Sequence, residues 1–153
     1  MKLSKLYSNK PQLFEPIIFS PGLNVLSPEI RLTETKEKDN HNHGKTTLGQ
    51  LIDFNLLSDK NNKFLSFKHG DRFQDVILIL EIELHDNNYL TISRSISEPN
   101  KIGFNSHQIA KQDYTTLPES QWDHVDIPFD RAKRLLDDLL DLTGLAPWNY
   151  GKG

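Results

Sequence analysis

The sequence predicts an α/β lobe built on a mixed sheet, with an antiparallel hairpin and two main helices. Three observations carry this. Residues 3–26 break into short apolar runs separated by turn residues; apolar residues after Lys45 recur at helical spacing; and 76–96 reads as two apolar strands flanking a polar turn.

The elements follow in order. Leu3 to Tyr7 is a strand and Ser8-Asn9-Lys10-Pro11 a turn. Glu15 to Phe19 is a second strand, closed by Ser20-Pro21-Gly22, and Leu23-Asn24-Val25-Leu26 a third, apolar enough for a sheet interior. Residues 27–41 are charged, with Ile30 and Leu32 as the large apolar exceptions, and read as a loop insert. Leu48, Leu51, Ile52, Asn55 and Leu56 then fall on one face of a helix that ends in 58–62. Val76 to Leu84, the turn Asp86-Asn87-Asn88 and Tyr89 to Ile96 form the hairpin. Lys101 to Phe104 adds a strand, and 105–128 reads as irregular, with Trp122 tucked against the body. Asp130 to Thr143 is a second amphipathic helix rich in leucine, from an N-cap at Asp130 to a stop at Gly144.

Composition sets the bounds. A chain of 153 residues, 36% hydrophobic and 25% charged, suits a single globular domain spanning 1–153. No apolar run reaches the ~18–20 residues of a membrane-spanning helix, and the start lacks the apolar core of a secretory leader. The chain has no cysteine, which excludes disulfides and thiol chemistry and fits a cytoplasmic setting. A net charge of −3 supplies no global attraction to nucleic acid.

Asn42-His43-Gly44-Lys45-Thr46-Thr47 carries the chemistry. It matches the end of the phosphate-loop consensus G-x-x-x-x-G-K-[ST], in which converging backbone N–H groups and a helix N-terminus hold phosphate oxygens. The lysine of such a loop reaches the β- and γ-phosphates, and the hydroxyl ligates Mg²⁺. The first consensus glycine falls on Asp39, a departure at the loop's beginning; Asn42, where related loops often have glycine, tolerates left-handed backbone angles. Lys10 in the first turn is within reach of a phosphate or is simply a solvated lysine. His41 and His43 read as loop histidines rather than metal ligands, since partners at ligand spacing are missing. Val76 to Glu81 imitates an acidic-ended second NTPase motif, but Glu81 and Glu83 read as the polar positions of an alternating strand. Arg94 reads as a surface residue, and Asp137, Asp138 and Asp141 as the wet face of the last helix.

The order of these parts resembles the N-terminal lobe of SMC/RecF-type ABC ATPase heads, a P-loop NTPase architecture. The residues carrying the likeness are Gly22 to Leu26, the phosphate loop, Leu48 to Phe54 and Tyr89 to Arg94. Tyr7-Ser8-Asn9-Lys10-Pro11 together with Asn42 to Leu48 and Leu51-Ile52-Asp53-Phe54 is similar to SMC-like ATPases of bacterial defence operons such as the Lamassu type.

The resemblance implies a mechanism and a setting. Lys45 would hold the β/γ-phosphates of ATP, Thr46 the Mg²⁺, and Asn42 to Thr47 would supply backbone donors. Ser8, Asn9 and Lys10 match the turn that approaches the nucleotide. No catalytic residue is expected within the chain, because the signature motif and Walker B pair are expected beyond Gly153, in a longer ATPase. ATP, a C-terminal ATPase lobe, a second head in a homodimer and DNA contacted through the full assembly are the implied partners, with no membrane. Two rivals remain: a compact P-loop kinase or GTPase, and an interaction module with a degenerate loop.

Overall fold

The computed structural model describes residues 1–25, 43–58, 71, 73–85 and 87–140. In chain order the elements are β1 (Lys2–Ser8), β2 (Ile17–Ile18), α1 (His43–Asn55), β3 (Ile77–His85), β4 (Asn88–Ser95), β5 (Ile102–His107), a short 3₁₀ turn (Glu119–Gln121), β6 (His124–Ile127) and α2 (Phe129–Leu139). The strands form one six-stranded sheet in the order β2-β1-β3-β4-β5-β6. Every pairing in it is antiparallel, so the expected mixed sheet is corrected.

The hairpin is as expected. Leu80 faces Ile92 and Ile82 faces Leu90, and the turn is tightened by Asn87, whose φ of 60° suits an asparagine. Alternation puts Leu6, Leu80, Ile82, Leu90, Ile92, Ile102 and Phe104 on one face of the sheet. There they pack with Leu48 of α1 and with Ala132 and Leu136 of α2 as the main core. A smaller cluster of Phe54, Val76, Leu78 and Ile96 closes the end of α1.

Three expectations are corrected. Leu23 to Val25 is not a strand: Leu23 and Val25 are 88% and 76% exposed. The Asn24 side chain closes a loop instead, its Oδ1 accepting from the Ser20 amide at 2.7 Å and its Nδ2 donating to the carbonyls of Ser20 and Gly22. Asparagine readily makes such local bonds, which compete with a sheet ladder. Leu26 lies outside the described residues. The segment 105–128 is more ordered than expected, since β5 runs on to His107 and β6 pairs with it as the sheet's far edge. At α2 the N-cap position falls on Pro128, whose φ of −60° leads the chain into the helix. Asp130 therefore sits in the first turn, where its charge complements the helix dipole. Leu142, Thr143 and Gly144 lie outside the described residues.

Arg94 is a further correction, and a large one. It is 2% exposed, because its place opposite Leu78 on β4 turns it to the helix-bearing face. Its guanidinium lies over the rings of Phe54 (4.1 Å) and Phe129 (5.0 Å). Nη1 donates to the carbonyls of Phe54 (2.5 Å) and Ser58 (3.4 Å), and Nε to that of Pro99 (2.8 Å). One cation thus ties the end of α1, the loop after β4 and the start of α2. Cations are favoured beside the carbonyls that end a helix. No described helix is long and apolar enough to cross a membrane.

Candidate functional site

α1 begins at His43, so His43, Gly44, Lys45 and Thr46 form its first turn and Thr47 follows. Backbone N–H groups of a first helical turn lack intrahelical acceptors, and the helix dipole adds partial positive charge there. That turn contains no acidic residue. Helix N-termini of this kind favour anions in general. Asn42 and the side chains of His43, Lys45 and Thr46 lie outside the described residues, so the Mg²⁺ role expected of Thr46 rests on its position alone. Thr47 is half-buried and Leu48 buried, which anchors the helix start on the sheet. At the other end Asn55 is fully buried, its Nδ2 donating to the Ile92 carbonyl at 3.2 Å.

Ser8, Asn9 and Lys10 do form one turn at the end of β1, but their described bonds serve the β1–β3 seam. Asn9 Nδ2 donates to the Asp75 carbonyl (2.9 Å), and its Oδ1 accepts from the Ile77 amide (2.8 Å). The buried Ser8 Oγ accepts from the Lys10 amide at 3.1 Å. Lys10 is half-buried, with no ion pair among the described residues. No described side-chain hydrogen bond joins this turn to the first turn of α1.

The sheet face turned away from the helices holds a polar cluster that sequence reasoning missed. Glu81 is fully buried rather than a wet strand position. Its carboxylate accepts from Ser4 Oγ at 2.5 Å and from the Lys111 amide at 2.8 and 3.0 Å. His107 stands 3.8 Å from it, and Nε2 of His107 lies 2.7 Å from Thr91 Oγ1. Nδ1 of His107 lies 3.0 Å from the Ile109 carbonyl, which can only accept, so Nδ1 carries the proton and Nε2 accepts from Thr91. Burial pushes this imidazole below the ordinary histidine value, and Glu81 pulls partly the other way. Tyr7 completes the cluster: its hydroxyl accepts from the Tyr114 amide (3.1 Å), and burial raises its pKa. Lys5 lies over the Tyr7 ring and donates to the Gln112 carbonyl.

These contacts fasten segment 108–114 across the sheet as a strap. The cluster is latched shut and does structural work. The available signal was the histidine that ends β5 and the aromatic residues after it (His107, Tyr114, Trp122), which mark a covering segment rather than open solvent.

No family model, curated protein or solved structure matches this chain. What the described residues define is an α/β fold with an antiparallel six-stranded sheet and two helices on one face.

Proposed function

We propose that this chain is the ATP-binding lobe of an SMC-like ATPase, coupling ATP-driven engagement of two heads to a DNA-associated activity in repair or in defence against phage or plasmids. One observation carries the reading: Gly44-Lys45-Thr46 stands in the first turn of a helix packed on a sheet, the place where a phosphate loop delivers its lysine and hydroxyl. Lys45 binds the β/γ-phosphates, Thr46 holds Mg²⁺, and the amides from Asn42 to Thr47 cradle the phosphate oxygens. Bound Mg²⁺ supplies neutralisation of phosphate charge. Ser8 and Asn9 set the first turn, from which Lys10 approaches the nucleotide. A second head, a C-terminal lobe and DNA belong to the same proposal, and a cytoplasmic setting goes with it.

The antiparallel sheet speaks against a compact kinase or GTPase, which needs parallel strands joined by crossover helices. A second reading, an interaction module with a degenerate loop, draws support from the exposed course of Leu23 to Val25 where a strand should feed the loop.

Titration of fluorescent Mg·ATP against the protein and its Lys45→Ala variant separates the two readings. The ATP-binding reading expects saturable binding weakened about a hundredfold in the variant, since losing a charge-assisted contact of up to ~3 kcal/mol costs roughly that factor. Equal, negligible binding by both proteins would overturn the ATP-binding reading and support the module.

A further inference from the structure

A groove lies on the sheet face opposite α1 and α2. Its floor is laid by strand register: Ile79, Ser93 and Gly103 stand abreast, with Ile77 and Ser95 one rung further along. The segment running from Tyr114 to Asp126 forms the other wall, and the enclosed volume is ≈ 520 Å³. Pockets that enclose ligands commonly have ≈ 300–1,000 Å³.

Gly103 makes the wall possible. A Cβ there would stand 2.6 Å from Ser93 Oγ and 3.3 Å from both the His124 carbonyl oxygen and Trp122 Cε3. Without a side chain at 103, the Trp122 indole settles directly against β5. Tyr114 meets it edge to face, with ring centroids 6.3 Å apart at 70°. The two rings make an aromatic corner at the groove.

Among the described residues the rim is mainly acidic. Asp75, Glu98, Glu119 and Asp126 line the groove and are exposed, against the one described cation, Lys101. Lys101 is bridged to Glu98 at 3.0 Å, whereas Asp75, Glu119 and Asp126 make no ion pair with a described residue. The Lys101 ammonium is held above its ordinary value by Glu98 first, with smaller contributions from Asp126 and Glu119. These carboxylates therefore act on a shared space.

We propose that this groove docks a lysine- or arginine-bearing segment of a partner polypeptide, the cationic head among Glu119 and Asp126 and its stem along Trp122 and Tyr114. Charge complementarity selects the occupant. Phosphate-rich nucleic acid is repelled by the rim, while an ammonium or guanidinium over an aromatic face is attracted by the ring as well as by the carboxylates. A polypeptide is favoured over a free polyamine because Ile77, Leu117 and Val125 give the groove apolar wall that flanking apolar side chains can cover. Asn9 lines the groove and also belongs to the turn used in the nucleotide reading, but the groove's floor and aromatic corner lie on the sheet face away from α1, so the proposal does not need the nucleotide reading to hold.

The test is calorimetric titration of the full chain with the blocked peptide acetyl-Lys-Leu-Lys-Leu-amide, while the Trp122 indole N–H resonance is followed by NMR. Saturable binding that moves the indole resonance is expected. It should weaken with added salt and fall about fivefold in the double variant Glu119→Gln, Asp126→Asn, the scale of two exposed ion pairs. Both positions are exposed, and asparagine tolerates the φ of 50° at position 126, so the variant keeps the fold. Absence of saturable binding, equal binding by the double variant, or equal binding of the glutamate-for-lysine peptide would each overturn the proposal. So would spermidine binding as tightly as the peptide.

Discussion

Arg94→Ala is expected to destabilise the protein by about 3 kcal/mol, the loss of charge-assisted hydrogen bonds combined with a buried side chain's packing. The Pro99 carbonyl loses its guanidinium donor, and the rings of Phe54 and Phe129 lose the planar group between them. The Phe54 carbonyl also accepts from the Leu57 amide at 3.1 Å, so the damage spreads over three elements rather than falling on one bond. Arg94→Lys should recover little, because an ammonium cannot span the Phe54 and Pro99 carbonyls as a planar fork does. Denaturant midpoints measure this. A loss under about 0.5 kcal/mol, the scale of an ordinary surface substitution, would return Arg94 to the surface role its sequence suggests.

Glu81→Ala is the second large effect, at about 3 kcal/mol, because it strands the Lys111 amide and the Ser4 hydroxyl inside the strap. Glu81→Gln should cost less, since one amide oxygen still accepts. The damage is local: amide exchange at Lys111 to Tyr114 should quicken while α1 keeps its protection. The change also carries a sign for His107. Glu81 holds that imidazole's pKa up against desolvation, so removing the charge should push it further below the ordinary value. A neutral buried imidazole makes stability decline as pH falls from the unfolded histidine value towards the depressed folded one. In Glu81→Gln that decline should extend to lower pH, which NMR titration of His107 measures. A His107 pKa that rises on substitution would contradict the cluster as described.

Local periodicity made much of the fold legible. The hairpin of β3 and β4 and the two helices announce themselves because their apolar residues repeat with the period of the element they build. Leu23 to Val25 misled because an apolar run reads alike as interior strand or exposed loop, and the Asn24 bonds that decide it are not a periodic signal. Arg94 and Glu81 misled for a shared reason. Residue type predicts exposure, while burial depends on partners distant in sequence: Phe54 and Phe129 for the arginine, Ser4 and Lys111 for the carboxylate. Gly44-Lys45-Thr46 was legible as a motif at a helix start, and α1 does begin there. Ser8 and Asn9 were legible as a turn, but the bonding of Asn9 to Asp75 and Ile77 was not, since β1 and β3 are far apart in sequence.

The central claim, that the first turn of α1 grips a triphosphate, is tested most directly by backbone-amide NMR during addition of Mg·ATP. The account predicts large shifts at Gly44, Lys45, Thr46 and Thr47, absent in Lys45→Ala, with Gly103 and the Trp122 indole unmoved. Amides at 44–47 that stay in place while the nucleotide is bound elsewhere, or not bound at all, would contradict it.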